Sequence, residues 1–344
     1  MSETALYRKY RPRDWKSVLG QEHVTDILEG SIKLEKVSHA YIFAGSRGTG
    51  KTSVARIFAK SLGSSDNDIY EIDAASNRGI DDIRAIRESV NSLPFNSKYK
   101  IYIVDEVHML TKDAWNAFLK TLEEPPAHAI FIMATTEMDK IPETVVSRCQ
   151  IFSFKKPSQE ILKNLIISIA KKEGFALEPS SAELIAILSE GSFRDAEGIL
   201  QKVISASSDK KISPEEVLRA TGAPRSELVN DFISAIEAGD ASDGLLAIEE
   251  AKKINVDISV YLKLILQKIR MILLLRYAPD MEKKIKDDLS ETDFAFLKEI
   301  ARKKESKINS SVLVALLEAD AEISRAYLPE LPLELAVIKL TSSS

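Results

Sequence analysis

Eight residues from Gly45 to Thr52, "GSRGTGKT", set glycines, a lysine and a threonine at the spacing G-x-x-x-x-G-K-[ST]. Glycines in such a run let successive backbone N–H groups turn inward around an anion, and a helix opening directly behind them adds positive potential. Lys51 is then placed to reach the β and γ oxygens of a nucleoside triphosphate, and the Thr52 hydroxyl to ligate Mg2+. The expected phosphate-binding set is Gly45, Ser46, Arg47, Gly48, Thr49, Gly50, Lys51, Thr52 and Ser53. A second constellation, "IYIVDEVH", ends an apolar run in Asp105-Glu106. Asp105 can hold Mg2+ through water, and Glu106 can orient and polarise an attacking water, so the pair points to hydrolysis of a phosphoanhydride rather than to binding alone. The bland alternatives are a Gly-rich turn before a helix and a strand end carrying two solvated acids. Both motifs in one chain, each in the required strand context, outweigh them. None of the four histidines has metal-ligand spacing, so His108 reads as structural.

Five short β-rich runs must position these groups: 40–44 "AYIFA", 69–73 "IYEID", 100–105 "KIYIVD", 130–134 "IFIMA" and 151–154 "IFSF". Amphipathic helical patterns alternate with them, which predicts a parallel sheet covered by helices on both faces. Val54, Ile57, Phe58 and Leu62 recur at helical spacing after the glycine-rich loop, and Trp115, Phe118, Leu119 and Leu122 do so between the third and fourth runs. Thr111 is a suitable N-cap for that second helix, and Pro125-Pro126 stops it. After "IFSFKKPS" only helical patterns follow, with a Gly/Pro break at Gly222-Ala223-Pro224. The expected division is an α/β domain over 1–155, a helical domain over 156–220 and a second helical domain over 221–344.

With 344 residues, 44% hydrophobic and 29% charged, the chain is long enough for two or three soluble domains. A net charge of -5 gives no global attraction to nucleic acid, so any DNA contact must be local. One basic stretch, "LYRKYRPRDWK", carries Arg8, Lys9, Arg11, Arg13 and Lys16 against Asp14. A single cysteine, Cys149, can form neither an internal disulfide nor a four-thiolate zinc site, and a reducing cytoplasm is the expected location. The opening residues contain no secretory signal. The apolar run "YLKLILQKIRMILLLRY" is broken by Lys263, Lys268 and Arg270 and reads as a buried or interface helix, with no membrane partner.

These motifs, with "ATTEMDKI" (134–141), "SRC" (147–149) and "GSFRDAEGIL" (191–200), resemble AAA+ ATPases. Within that group, "LYRKYRPRDWKSVLGQEHV", "EIDAASNRGIDDIR" and "LKTLEEPPAHAIFIMATTE" resemble the gamma/tau family of bacterial DNA polymerase III, the motor subunits of the sliding-clamp loader. The likeness runs from about Ala5 to Ser205. It implies a P-loop AAA+ domain with a parallel five-stranded sheet, then an all-α lid and an all-α collar, near whose end the sequence closes. It also implies ATP and Mg2+ as cofactors, DNA replication as the setting, and a ring with copies of the same chain and delta and delta-prime type subunits. The sliding clamp and primed DNA would be the other partners.

Residue by residue, the resemblance implies that Thr136 is the sensor-1 position, where Asn is usual in AAA+ proteins but Thr is found in the clamp-loader motor. Arg194 in "GSFRD" matches sensor 2, and Arg11 with Pro12 would lie near the adenine. Arg148 matches the arginine finger of "SRC", which reaches the ATP of a neighbouring subunit; only Arg keeps a charged planar fork there. Its alternative is a surface salt bridge, and Cys149 beside it reads as a small packed hydrophobe. Ser76, Asn77 and Arg78 are the candidates for contact with DNA phosphates near a helix start, although Asp81 and Asp82 make an ordinary solvated helix start an equal reading. Family members usually carry a cysteine-rich zinc module between the P-loop helix and the second strand. Here "SLGSSDND" stands in that place, so no zinc is expected. No carboxylate set for nucleotidyl transfer stands apart from the ATP site, so a DNA-directed DNA polymerase label would belong to the holoenzyme. A nucleotide-binding scaffold without turnover, and another AAA+ machine such as a branch-migration motor, are the rival readings.

Overall fold

The computed structural model describes residues 4–207, 209–287, 289 and 291–342. The chain divides into two compact units, one of residues up to 162 with 189–198, the other of 163–188 with 199 onward.

The first unit is built on five parallel strands, β1 (Ala40–Ala44), β2 (Ile69–Asp73), β3 (Lys100–Asp105), β4 (Ala129–Thr135) and β5 (Gln150–Ser153), in the order β2-β3-β4-β1-β5. β1 is buried along its whole length, which explains why it reads as a continuous apolar run rather than an alternating one. Its side chains still alternate. Ala40, Ile42 and Ala44 join one core with Tyr102, Val104, Phe131 and Met133, while Tyr41 and Phe43 join the other with Ile101, Ile103, Ile130 and Ile132. The helices of this unit are α1 (Leu6–Lys9), α2 (Glu22–Lys33), α3 (Lys51–Ser61), α4 (Ile80–Val90), α5 (Lys112–Glu123), α6 (Glu143–Val146), the start of α7 (Gln159–Lys172) and, after α8 (Pro179–Leu188) in the other unit, the start of α9 (Phe193–Ala206).

Helix α5 shows how local sequence produces an element. The Thr111 hydroxyl accepts the Ala114 N–H at 3.3 Å to cap it, and Ala114, Trp115, Phe118 and Leu122 form its buried stripe. Pro125-Pro126 follow its end. Burying a side chain such as Phe118 stabilises the fold by about 1.5–3 kcal/mol, so truncating that stripe would loosen the layer beneath Asp105 and Glu106.

The second unit is helical. Beyond the rest of α7, α8 and the rest of α9 it holds α10 (Pro214–Thr221), α11 (Ser226–Ala238), α12 (Ala241–Lys253), α13 (Ile258–Tyr277), α14 (Glu282–Asp287), α15 (Glu291–Arg302), α16 (Ser310–Ile323) and α17 (Leu331–Ser342). The expectation of helices alone needs one correction. Two-residue strands, β6 (Ala176–Leu177) and β7 (Lys211–Ile212), pair in parallel, and runs that short carry no periodicity to read. The apolar helix read as buried is α13, which packs against α11, α15 and α16 through Tyr261, Ile265, Ile269 and Ile272. Its Lys268 is buried but paired, with Nζ 2.7 Å from both Asn230 Oδ1 and Asp293 Oδ1. Among the described residues no helix is long and apolar enough to cross a membrane.

Candidate nucleotide-binding site

Parallel register brings the chemistry to one sheet edge. Ala44 is level with Thr135 on β4 and with Ser153 on β5, and Asp73 is level with Asp105, so the segments that follow β1, β3 and β4 leave the sheet together. The glycine-rich loop begins with the Gly45 N–H donating to Thr135 O at 3.1 Å and ends at Gly50, which takes a left-handed φ of 99° to start α3. Between them Gly48 has a φ of 74°, and a Cβ there would lie 1.9 Å from Ser192 Oγ. The Phe193 N–H donates to Gly48 O at 3.0 Å, so the start of α9 rests directly on the loop. Thr49 is buried and donates to Ser46 O at 2.9 Å, while Arg47 is exposed.

Lys51 is 6% exposed, and its ammonium donates to Gly45 O at 2.7 Å and Ser46 O at 2.9 Å. Burial lowers its pKa, against the opposing pull of Glu106 and Asp105. Thr52 Oγ1 donates to Asp105 Oδ2 at 2.8 Å, and Asp105 Oδ1 accepts the Glu106 N–H at 3.0 Å. A hydroxyl and a carboxylate side by side are the hard oxygen donors that Mg2+ takes, with phosphate oxygens and water completing its shell. The residues therefore fit a magnesium nucleotide. Glu106 sits in the left-handed region with φ 49° and ψ 43°, a conformation that costs a non-glycine residue about 1–2 kcal/mol. Its Oε2 accepts from Thr136 Oγ1 at 3.2 Å. Arg11 is half-buried and its Nε donates to Ser53 Oγ at 3.0 Å, with Pro12 half-buried beside it. Burial lowers the Arg11 pKa, followed by the nearby Arg56 charge. Arg194 is exposed at the start of α9, its guanidinium carbon 4.8 Å from the centroid of the Tyr7 ring.

Arg148 stands outside this cluster. Its Nη2 donates to Glu123 Oε1 at 2.9 Å, and its Nη1 to Thr144 O at 2.7 Å and Ser147 Oγ at 3.3 Å. Among the described residues no hydrogen bond or ion pair joins it to Lys51, Asp105 or Glu106. Burial pushes the neighbouring Cys149 thiol up to about 12, and the side chain packs on the core that contains Ile141 and Val145. Cys149 is a packing residue, protonated at any physiological pH.

Ser76, Asn77 and Arg78 are exposed on the turn between β2 and α4. Ser76 Oγ donates to Asp73 Oδ2 at 3.2 Å, Asn77 Nδ2 donates to Asp73 O at 3.1 Å, and Asp82 Oδ2 accepts the Gly79 N–H at 3.0 Å at the start of α4. Sequence reasoning missed two supports of the site, Gln21 and Ser192, and the partners of a third, His108. Gln21 is fully buried, donates to Lys155 O at 2.7 Å and accepts the Lys155 N–H at 3.1 Å, tying the end of β5 to the approach to α2. Ser192 meets Gly48, and His108 meets Glu106 and Thr135. A polar Gln in front of an apolar helical stripe was the only available signal for the first; the other two partners are remote in sequence.

Two family descriptions match the chain: "DNA polymerase III, delta subunit" over residues 20–78 and 64–158, and "DNA polymerase III subunits gamma and tau domain III" over 212–344. The DNA polymerase III subunit tau of Bacillus subtilis is 37% identical, covering 100% of this chain and 64% of the relative. The gamma/tau subunit of Mycoplasma genitalium is 38% identical over 75% of this chain and 47% of its own length, and the tau subunit of Escherichia coli 34% identical over 81% and 46%. The chain thus spans about half to two thirds of the length of these relatives. Among solved structures, the Holliday junction branch migration motor RuvB of Thermotoga maritima superposes with a TM-score of 0.54 and 23% identity, covering 66% of this chain and 79% of the motor. That likeness speaks for a shared AAA+ fold.

Proposed function

The chain belongs to the gamma/tau family of DNA polymerase III subunits, and from that premise we propose that it is an ATP-hydrolysing motor of a clamp loader. The observation that carries the reading is the hydrogen bond of Thr52 to Asp105, with Lys51 on one side of it and Glu106 on the other. A scaffold that only bound nucleotide would need the loop and the lysine but not a carboxylate held in strain beside the metal position.

When bound, Mg·ATP supplies the γ-phosphoryl group on which the reaction occurs. The loop amides from Gly45 to Lys51 and the Lys51 ammonium hold the phosphates, and Thr52 with Asp105 orients the metal. Glu106 takes up or polarises the proton of the attacking water, while Thr136 fixes its carboxylate. Arg194 reports the γ-phosphate to the helical lid, and Arg148 serves the ATP of a neighbouring copy. Its position away from this chain's own cluster supports a role in trans.

In this reading residues to 155 bind nucleotide, 156–220 form the lid and 221–344 the collar of a cytoplasmic ring with delta and delta-prime type subunits. Exposed Val314 and Leu317 on α16 and Leu335 and Ile338 on α17 support a collar that other subunits cover. Leu93 and Phe95, 79% and 77% exposed on a loop whose Phe95 and Asn96 amides bond Asp68, suit a second protein partner. Primed DNA would be gripped through its phosphates, with Arg78 the freest of the candidate side chains for that contact.

The test is ATPase activity of the chain assembled with its partner subunits, with and without clamp and primed DNA. Stimulation that needs both supports loading. Turnover indifferent to the clamp would point to another motor, and silence in every condition to a scaffold.

A further inference from the structure

The 3-10 turn after β3, Val107–Met109, carries a buried imidazole that the reaction as described above does not use. The His108 side chain is 6% exposed. Its Nδ1 lies 3.1 Å from Thr135 Oγ1 and 3.5 Å from Glu106 Oε2, and its Nε2 lies 3.2 Å from Glu137 Oε1. Thr135 and Glu137 flank Thr136, whose hydroxyl donates to the same Glu106 oxygen. One ring therefore touches both neighbours of Thr136 and the carboxylate that Thr136 addresses.

We propose that His108 is a positioning residue that locks the end of β4 to the turn bearing Glu106, so that Thr136 and Glu106 stay in register during hydrolysis. This rests on the ATPase reading above. A carboxylate can only accept, so Nε2 carries a proton toward Glu137, while Nδ1 pairs with the Thr135 hydroxyl. Thr135 Oγ1 also accepts the Glu137 N–H at 3.0 Å, and Lys140 Nζ holds Glu137 from outside at 2.7 Å, so the ring's distal anchor is itself fixed. Filling space in the core would require only that the two ring nitrogens find any partners. Here two of the partners are the residues that bracket one hydroxyl, and they come from the end of β4 and the turn just past it. The turn has its own apolar anchors in Val107 and Leu110, 0% and 6% exposed, so its fold does not depend on the imidazole.

The experiment measures steady-state hydrolysis of Mg·ATP by the full chain in its assembled complex, with clamp and primed DNA. His108→Leu, which keeps the volume but not the polar links, lowers kcat by about 10-fold or more and leaves KM within about twofold. Thr135→Val reproduces that loss. His108→Asn, whose side-chain oxygen can stand in for Nδ1, recovers most of the rate. Turnover of His108→Leu equal to the parent overturns the proposal, as does a parallel collapse of kcat, KM and thermal midpoint that Asn fails to relieve. A parent complex that does not hydrolyse ATP overturns the ATPase reading itself and this inference with it, a result visible before any variant is made.

Discussion

Thr52 and Asp105 stand 53 residues apart and share a hydrogen bond of 2.8 Å, the hydroxyl donating to the carboxylate. The bond joins the helix that follows the glycine-rich loop to the strand that ends in Asp105, at the place where a metal would take an oxygen from each. Thr52→Val removes the donor without changing shape. We expect the Mg2+ concentration for half-maximal ATPase to rise about 10-fold, equivalent to ~1.4 kcal/mol, with nucleotide affinity in EDTA unchanged. A metal titration of the two proteins decides this, and an unchanged midpoint would remove Thr52 from the metal site.

Arg148 rests on Glu123 in its own chain. Arg148→Ala should leave ATP binding by the isolated chain intact and lower hydrolysis by the assembled ring on the order of 10³-fold. Rings mixed with Lys51→Ala chains separate the donor from the acceptor of the finger. Glu123→Gln should shift folding stability by no more than ~1 kcal/mol, because both partners are partly solvated. Lost ATP affinity with preserved turnover per bound nucleotide in Arg148→Ala would end the trans assignment.

Gly48→Ala meets two obstacles, a φ of 74° and a Cβ 1.9 Å from Ser192 Oγ. The backbone alone costs ~1–2 kcal/mol, so the thermal midpoint should fall and ATP binding weaken. Adding Ser192→Ala should recover only part of both, since it relieves the clash and not the torsion. Calorimetry with nucleotide titration measures each quantity.

Burial raises the pKa of Glu197, on α9 one turn past Arg194, to about 7 from an ordinary 4.5, and the residue is 7% exposed. Between these values the folded chain holds a proton that the unfolded chain has released, so its contribution to stability falls as pH rises from 4.5 through 7. Glu197→Gln should stabilise the protein at pH 8 by ~3 kcal/mol and make no difference at pH 4. Denaturant midpoints at the two pH values test it, and equal midpoint shifts at both would show that the carboxyl is not held neutral.

The sheet was legible because β1, β3 and β4 are buried on both faces and so appear as unbroken apolar runs, and their observed bounds lie within a residue of those expected. The glycine-rich loop and the acid pair were legible because their chemistry is contiguous. What remained hidden was contact across the chain. His108 was read as structural since no metal spacing accompanied it, and two of its partners lie well along the chain, Thr135 at the end of β4, 27 residues on, and Glu137 just past it. Glu123 holds Arg148 from 25 residues away, a contact that nothing in the residues around either one announces. Gln21 meets Lys155 from 134 residues away, a distance no periodicity reports. The strands β6 and β7 escaped because two residues cannot display alternation.

The polypeptide crosses between the sheet-bearing unit and the helical unit three times, after residues 162, 188 and 198. The short segment between the second and third crossings is the one whose Phe193 amide grips Gly48. Both ends of that segment continue directly into the helical unit, so the residues resting on the glycine-rich loop are tethered at each side by covalent chain alone.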